Sequence, residues 1–524
     1  MSSTRRPRRR PLPLVAAAAA VVVGVLGARA PEARAYDPAT TSAGLTQRAV
    51  VASDLHEVLA HRLGRALGLF ETLTLGGLPA PGVPPVSVER RLLWARLTAL
   101  DSSAGYRPSD DGRASAMAWV VAGSVIAKTP PERLQNMFLD PSTRMGLRDA
   151  SALDGLAHTL RLAADTGGLR ALATGTSFSL EGMSALEWVE SPRNDLGLPA
   201  FFSHVERSVV APESAERDTE LVQALLALGG VLAVLEDMGN PAQVRNDFRG
   251  AYLRGGVGSP FDRASAYDRA VADLYGVLGI PAPKTVVRRA TWRDYFTGAD
   301  GLGLADRTQA RFFSDGTVPD DAPVDRDTTM LDVLTAARQS LTYALPGIPR
   351  LELRPMGLVE HVLAPDIPPG ATHPRALLAY ERVPGRVRFF LDARVYADTA
   401  RTLLPEIAGY AAGLVDHLFR ARLTLAASGG RVRASVSSTT GGGTGGTSDA
   451  GGQPPRGDVQ FLVEDAHGRR RALGTVATAS DGDRAPELSV SVPADARRVV
   501  AFLRGADGAG PVVAFAVLTL SARP

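Results

Sequence analysis

The residues of this 524-residue chain that could do chemistry are few, and their spacing is uninformative. There is no cysteine, so disulfides and thiolate metal sites are excluded and any metal would need His, Asp or Glu. The eight histidines are scattered. Only His56 and His61 lie close together, and a separation of five does not put both on one helix face as three or four would. They read as solvated or half-buried structural histidines. No phosphate loop, G-x-S-x-G elbow or H-E-x-x-H pair occurs. A Ser-His-Asp triad assembled by the fold stays open, because such groups converge in space, yet no residue pattern points to one. The carboxylates that stand out are Glu236 and Asp237, which close an uncharged fifteen-residue stretch at 221–235. Glu236 reads as a helix-end carboxylate, and Arg245 and Asp247 as satisfying loop hydrogen bonds below it.

The elements that must position these groups are mainly helical from about 41 to 345. Residues 46–70 carry an apolar stripe (Val50, Val51, Leu55, Leu59, Leu63, Leu67) and predict one helix; after a Pro/Gly-rich turn at 76–85, residues 88–100 resume the pattern. The stretch 221–235 is too short to span a bilayer and too apolar for a surface helix, so it should be the buried central helix, broken at Gly239, Asn240 and Pro241. Residues 346–392 change character, with clustered prolines and short strands at 351–353 and 387–391. Helix returns at about 393–421. From 422 the chain reads as β, with strands expected at 423–427, 459–463, 473–478, 488–492, 499–503 and 512–520, the spacing of a small β-sandwich. A Gly/Ser/Thr tract at 437–456 should be a flexible loop.

The N-terminus carries Arg5, Arg6, Arg8, Arg9 and Arg10, then an apolar run at 14–28 and an A-x-A site at Ala33-Arg34-Ala35. This is the pattern of a secretory signal peptide over 1–35, and the run is shorter than the roughly 20 residues that cross a bilayer. Cleavage would leave Tyr36 first, no transmembrane helix, and a secreted or periplasmic chain of roughly 490 residues, enough for two or three domains. The formal charge of +3 lies largely in the signal, so the mature chain is near neutral and shows no nucleic-acid footprint.

Several phrases share a pattern: AGLTQRA at 43–49; WVVAGS at 119–124 with TPP at 129–131, NMFLDP at 136–141 and Gly146-Leu147; VLAVLEDM at 231–238 with NPAQVRNDF at 240–248; GLAD at 303–306 with FFS at 312–314; and Leu404-Pro405 with YAAGL at 410–414. In order, from about 36 to 421, they resemble the zinc-dependent phospholipase C and single-strand-specific nuclease superfamily, particularly its large exported bacterial members. The resemblance implies a helical domain whose mature N-terminal residue, histidines and carboxylates hold three zinc ions, which turn water into a nucleophile and clamp phosphodiester oxygens.

Carried over position by position, that ligand set is degraded here. The N-terminal ligand falls on Tyr36, whose amine keeps metal-binding capacity. The first histidine falls on Ser42, the carboxylate before Thr-Pro-Pro on Lys128, and the histidine of the Asn-His-Phe phrase on Met137. The His/Asp pair one turn apart on the central helix falls on Ala233 and Asp237. The histidine after Asn-Pro falls on Gln243, and a final His-x-x-x-Glu pair on Gly258 and Asp262. Only Asp237 and Asp262 keep ligand side chains, so no metal cofactor is expected. An ammonium where a carboxylate belongs would repel a dication, and a buried Asp237 would need a new partner, for which Lys128 is the candidate.

The expectation is therefore a mainly α protein. A phospholipase C/nuclease-like domain spans 36–421 with a mixed insertion at 346–392, and a β-sandwich spans 422–524. The leading function is an exported pseudoenzyme that binds a lipid or envelope partner. The rivals are a zinc-dependent phosphodiesterase with a reduced metal set, and an envelope scaffold carried by the β-domain.

Overall fold

A computed structural model describes residues 41–76, 87–129, 131–148, 182–247, 266–275, 279–319, 322–323, 352–354, 359–438, 455–478, 488–493 and 495–520. The signal segment, Tyr36, Gly258, Asp262 and most of the Gly/Ser/Thr tract lie outside the described residues.

The helical body is assembled from α1 (Ala43–Ala52), α2 (Val88–Thr98), α3 (Ala116–Ile126), α4 (Leu198–Val210), α5 (Ser214–Asp237), α6 (Ala266–Tyr275), α7 (Leu304–Arg311) and α8 (Ala393–Leu418). Side-chain caps start several of them. Ser87 accepts from Arg90 N at α2, Ser115 from Ala118 N at α3, and Asp392 from Val395 N at α8, each satisfying an orphan donor of the first turn. α5 is the hub: it packs on α3, α4 and α8. It is the described helix long and apolar enough to cross a bilayer, but 89% of its apolar window is buried inside this fold. It ends at Asp237, just before the break expected at Gly239, Asn240 and Pro241, and Asn240 then caps a one-turn helix, Pro241–Val244. α3 and α5 cross at Gly123 and Gly229, where a Cβ would collide with the Leu226 and Val120 carbonyl oxygens respectively.

The single helix expected over 46–70 is corrected. α1 stops at Ala52, and the chain continues as the turn Leu55–Glu57, the π-helical segment Val58–Arg62 and the 3-10 turn Gly68–Phe70. The Ser53 hydroxyl donates to Val50 O and accepts from Leu55 N, giving the backbone a local alternative to helix. Gly64 and Gly68 then adopt positive φ. A short ribbon pairs β1 (Thr72–Thr74) with β2 (Arg113–Ser115).

The segment before α8 carries more sheet than its sequence suggests. β3 (Ala322–Pro323), β4 (Glu352–Arg354), β5 (Glu360–Leu363), β6 (Ala376–Val383) and β7 (Arg386–Phe390) form an antiparallel sheet in the order β3-β7-β6-β5-β4. β6 lies against α8, where Asp398 accepts from Ala376 N.

After α8 come β8 (Ala421–Ser428), β9 (Arg431–Ser438), β10 (Arg456–Glu464), β11 (Arg470–Ala477), β12 (Ser489–Ser491), β13 (Arg498–Asp507) and β14 (Gly510–Thr519). They form two sheets, β12-β9-β8 and β11-β10-β13-β14. One face of the larger sheet (Val459, Phe461, Val499, Ala501, Leu503, Val512, Ala514) packs against β8 and β9 in a sandwich core. Alternate residues on its other face (Leu462, Val500, Phe502, Val513, Phe515) join the helical core. The larger sheet is thus a middle layer, buried on both sides, and the chain is a helical body followed by antiparallel β-sheets.

Candidate functional site

The centre sits where α1, α3 and α5 meet. Ala233 and Asp237 lie one turn apart near the end of α5, both fully buried. Lys128 follows the end of α3, Ser42 precedes α1, and Met137 and Gln243 come from the loops after α3 and α5; all are buried. Leu139 N donates to Gln243 O, tying those two loops together.

The ammonium and the carboxylate meet. Lys128 Nζ lies 2.7 Å from Asp237 Oδ1, and it also donates to Ser42 Oγ at 3.1 Å. Both charged side chains are 0% exposed. Asp237 Oδ2 has no hydrogen-bond partner among the described residues. Burial pushes the Asp237 carboxyl above its ordinary range, and the charge and hydrogen bond of Lys128 oppose that push.

One functional group here was misjudged from sequence. Glu236, expected at an ordinary helix end, is completely buried and turned toward α1, where Thr46 Oγ donates to its Oε1 at 2.8 Å. Its Oε2 has no partner among the described residues. Burial pushes its pKa up to about 8, against the Thr46 bond and the Lys128 charge, and Asp237 adds to the rise. The carboxyl therefore holds its proton at neutral pH. The signal for this was Thr46 itself, since a hydroxyl on an apolar helix stripe needs a buried partner. Arg245 and Asp247 do act in the loops: Arg245 donates to Gln309 O and Phe312 O, and Asp247 accepts from Gly316 N. His56 and His61 are exposed, and His56 Nδ1 accepts from Leu69 N.

The described residues at these positions do not fit a zinc ion. Ala233 offers no donor. Lys128 is cationic, Ser42 accepts from it, and Asp237, the carboxylate of that set among the described residues, is taken by the ammonium. Among the described residues, no three His, Asp or Glu come together as a metal-holding group. What the arrangement can do is hold an ion pair and a neutral acid out of water, joining three helices at one point.

No protein-family model matches the chain, and no curated protein matches it. Among solved structures it is similar to an alpha toxin from Clostridium absonum, at 10% identity and a TM-score of 0.25, over 92% of this chain and 98% of that one. It is also similar to the alpha-toxin of Clostridium perfringens from avian strain SWCP, at 10% identity and a TM-score of 0.22, over 94% of this chain and 100% of that one. At such identity, the site residues must be read from this chain's own geometry.

Proposed function

We propose that this is an exported, phospholipase C-like protein that acts by binding, on a lipid or envelope partner, and not by hydrolysis. The domain plan is the helical body over 36–421, interrupted by a mixed insertion at 346–392, and a β-sandwich over 422–524. One observation carries the reading: Lys128 Nζ, sealed from solvent, bridges Asp237 and Ser42. In this reading Ser42, Lys128, Met137, Ala233, Asp237 and Gln243, with Tyr36, Gly258 and Asp262, descend from a metal-ligand set, and an ammonium occupies the space of a dication. A lysine and a divalent ion at about 4 Å would repel by several kcal/mol even at an effective dielectric near 20, so the two exclude each other.

The test is elemental analysis of the purified mature protein after dialysis against zinc, with hydrolysis of phospholipid vesicles and of single-stranded DNA measured in parallel. The expected result is no stoichiometric zinc and no turnover. Stoichiometric zinc with chelator-sensitive turnover would overturn the proposal. The binding half is tested by sedimentation with phospholipid vesicles and with isolated envelope; failure to co-sediment with either refutes it.

A further inference from the structure

A cleft of about 480 Å³ lies at the seam between the helical body and the β-sandwich. Its position follows from how the chain leaves α8. Arg420, just beyond the helix, pairs with Asp507 of the β13–β14 hairpin through two nitrogens, one at 2.5 Å, with the two side chains 4% and 2% exposed. The same guanidinium donates to His417 O and Gly510 O. These bonds tie the two walls together, so the cleft is preformed, which limits the ordering cost of binding.

The lining falls into three kinds. Tyr295 and Phe419 supply aromatic surface. His417 lies edge-on to Tyr295, with ring centroids 5.6 Å apart, and is 7% exposed. Burial and the Arg420 charge lower its pKa to about 4, so the imidazole is neutral, and its Nε2 finds no hydrogen-bond partner among the described residues. Arg288 and Arg422 are exposed, and neither guanidinium makes a hydrogen bond or ion pair among the described residues, although the Arg288 charge acts on Asp416. Three carboxylates line the cleft against five arginines (Arg62, Arg288, Arg289, Arg420 and Arg422): Asp507 is held by Arg420, Asp416 accepts from Asp54 N at 2.7 Å, and the Asp54 side chain is exposed. Free guanidinium donors, an aromatic wall and an unmatched buried imidazole nitrogen together describe a ligand with an anionic end and a flat apolar body.

We propose that this cleft binds a small organic anion, a carboxylate or phosphate monoester on an aromatic body, with Arg288 and Arg422 holding the anion and His417 Nε2 completing its hydrogen bond to the ligand. The site is separate from the Lys128–Asp237 centre and stands or falls independently of the proposed loss of hydrolysis.

The test is calorimetric titration of the mature protein with four probes: phenyl phosphate, benzoate, phenol and inorganic phosphate. At least one of phenyl phosphate and benzoate should saturate with a Kd below about 1 mM, and the tighter of the two identifies the anion; phenol and inorganic phosphate should each be at least about tenfold weaker. Arg288→Ala/Arg422→Ala removes two exposed side chains and should keep the wild-type melting temperature while weakening binding at least about tenfold. In spectra of protein labelled with ¹⁵N-histidine, the resonance missing from His417→Phe should shift on binding. No saturable binding by either aromatic anion, binding unchanged in the arginine double variant, inorganic phosphate as tight as the aromatic anions, or a His417 resonance that does not move would each overturn the proposal.

Discussion

Glu236 allows the buried centre to be tested by pH alone. In the unfolded chain its carboxyl releases its proton near the ordinary 4.5, whereas in the fold burial holds the proton up to about 8. Across that window the unfolded state binds fewer protons than the folded one, so this residue's contribution to stability is complete below the unfolded value and declines as pH rises toward 8. At about 1.36 kcal/mol per pH unit, the loss approaches roughly 5 kcal/mol. Glu236→Gln keeps the shape and an oxygen for the Thr46 hydroxyl but removes the titration. At about pH 5, where the folded wild type is neutral at this position, the variant should lie within about 2 kcal/mol of it, the difference set by how the amide NH₂ is accommodated beside Oε2. Between about pH 5 and pH 9 the variant should gain roughly 4 kcal/mol on the wild type. Urea-unfolding midpoints followed by far-UV circular dichroism measure both. If the two proteins lose stability in parallel between those pH values, Glu236 is not a buried neutral acid.

Three other substitutions probe what the fold depends on. Lys128→Met leaves Asp237 buried without its counter-ion and should cost about 3–5 kcal/mol by urea denaturation, whereas Lys128→Met/Asp237→Leu should regain most of that loss; equal losses in the single and double variants would contradict the pairing. Gly229→Ala forces α5 away from the Val120 carbonyl and should cost about 3 kcal/mol, read as a lowered melting temperature; an unchanged melting temperature would mean the crossing is looser than described. Arg420→Met strands Asp507 at the seam and should cost about 3 kcal/mol or more. Limited proteolysis should then release the β-sandwich faster than in wild type, and unaltered cleavage would count against the seam as a fixed joint.

The legible parts of this fold were those where one physical signal acted alone. The uncharged run at 221–235 reads as a core helix because no surface helix tolerates fifteen such residues, and α5 is buried along that length except at Gln223. β10, β13 and β14 read as strands, but their near-continuous apolar runs also marked burial on both faces, which a simple two-sheet sandwich does not require. The hairpin of β8 and β9 was missed although Gly429-Gly430, both at positive φ, is the two-residue turn such a hairpin needs. The break after α1 was hidden because Ser53 interrupts the helix through its side chain while the apolar period continues past it. In the candidate site, the Lys128–Asp237 pair could be anticipated because the family resemblance assigned both positions to one site, where a charge of each sign was left over. Glu236 could not be placed from its own neighbourhood, since its partner Thr46 lies 190 positions away.

The two adjacent carboxyls of α5 illustrate why one lysine suffices. Lys128 and Asp237 at 2.7 Å carry no net charge as a pair, whichever atom holds the shared proton. Glu236 points to α1, bound to a hydroxyl that supplies no charge. If it were ionised, the dry centre would carry one net negative charge, and burial costs a lone charge several kcal/mol. Retaining a proton to about 8 avoids that cost across the neutral range. A metal centre balances clustered carboxylates with cations; here the balance is one ammonium and one proton. The two solutions differ in their dependence on pH: a metal site weakens in acid as protons compete for its ligands, whereas this centre should weaken in base as Glu236 ionises. A stability profile that falls on the alkaline side, and flattens in Glu236→Gln, is therefore the mark that distinguishes the two.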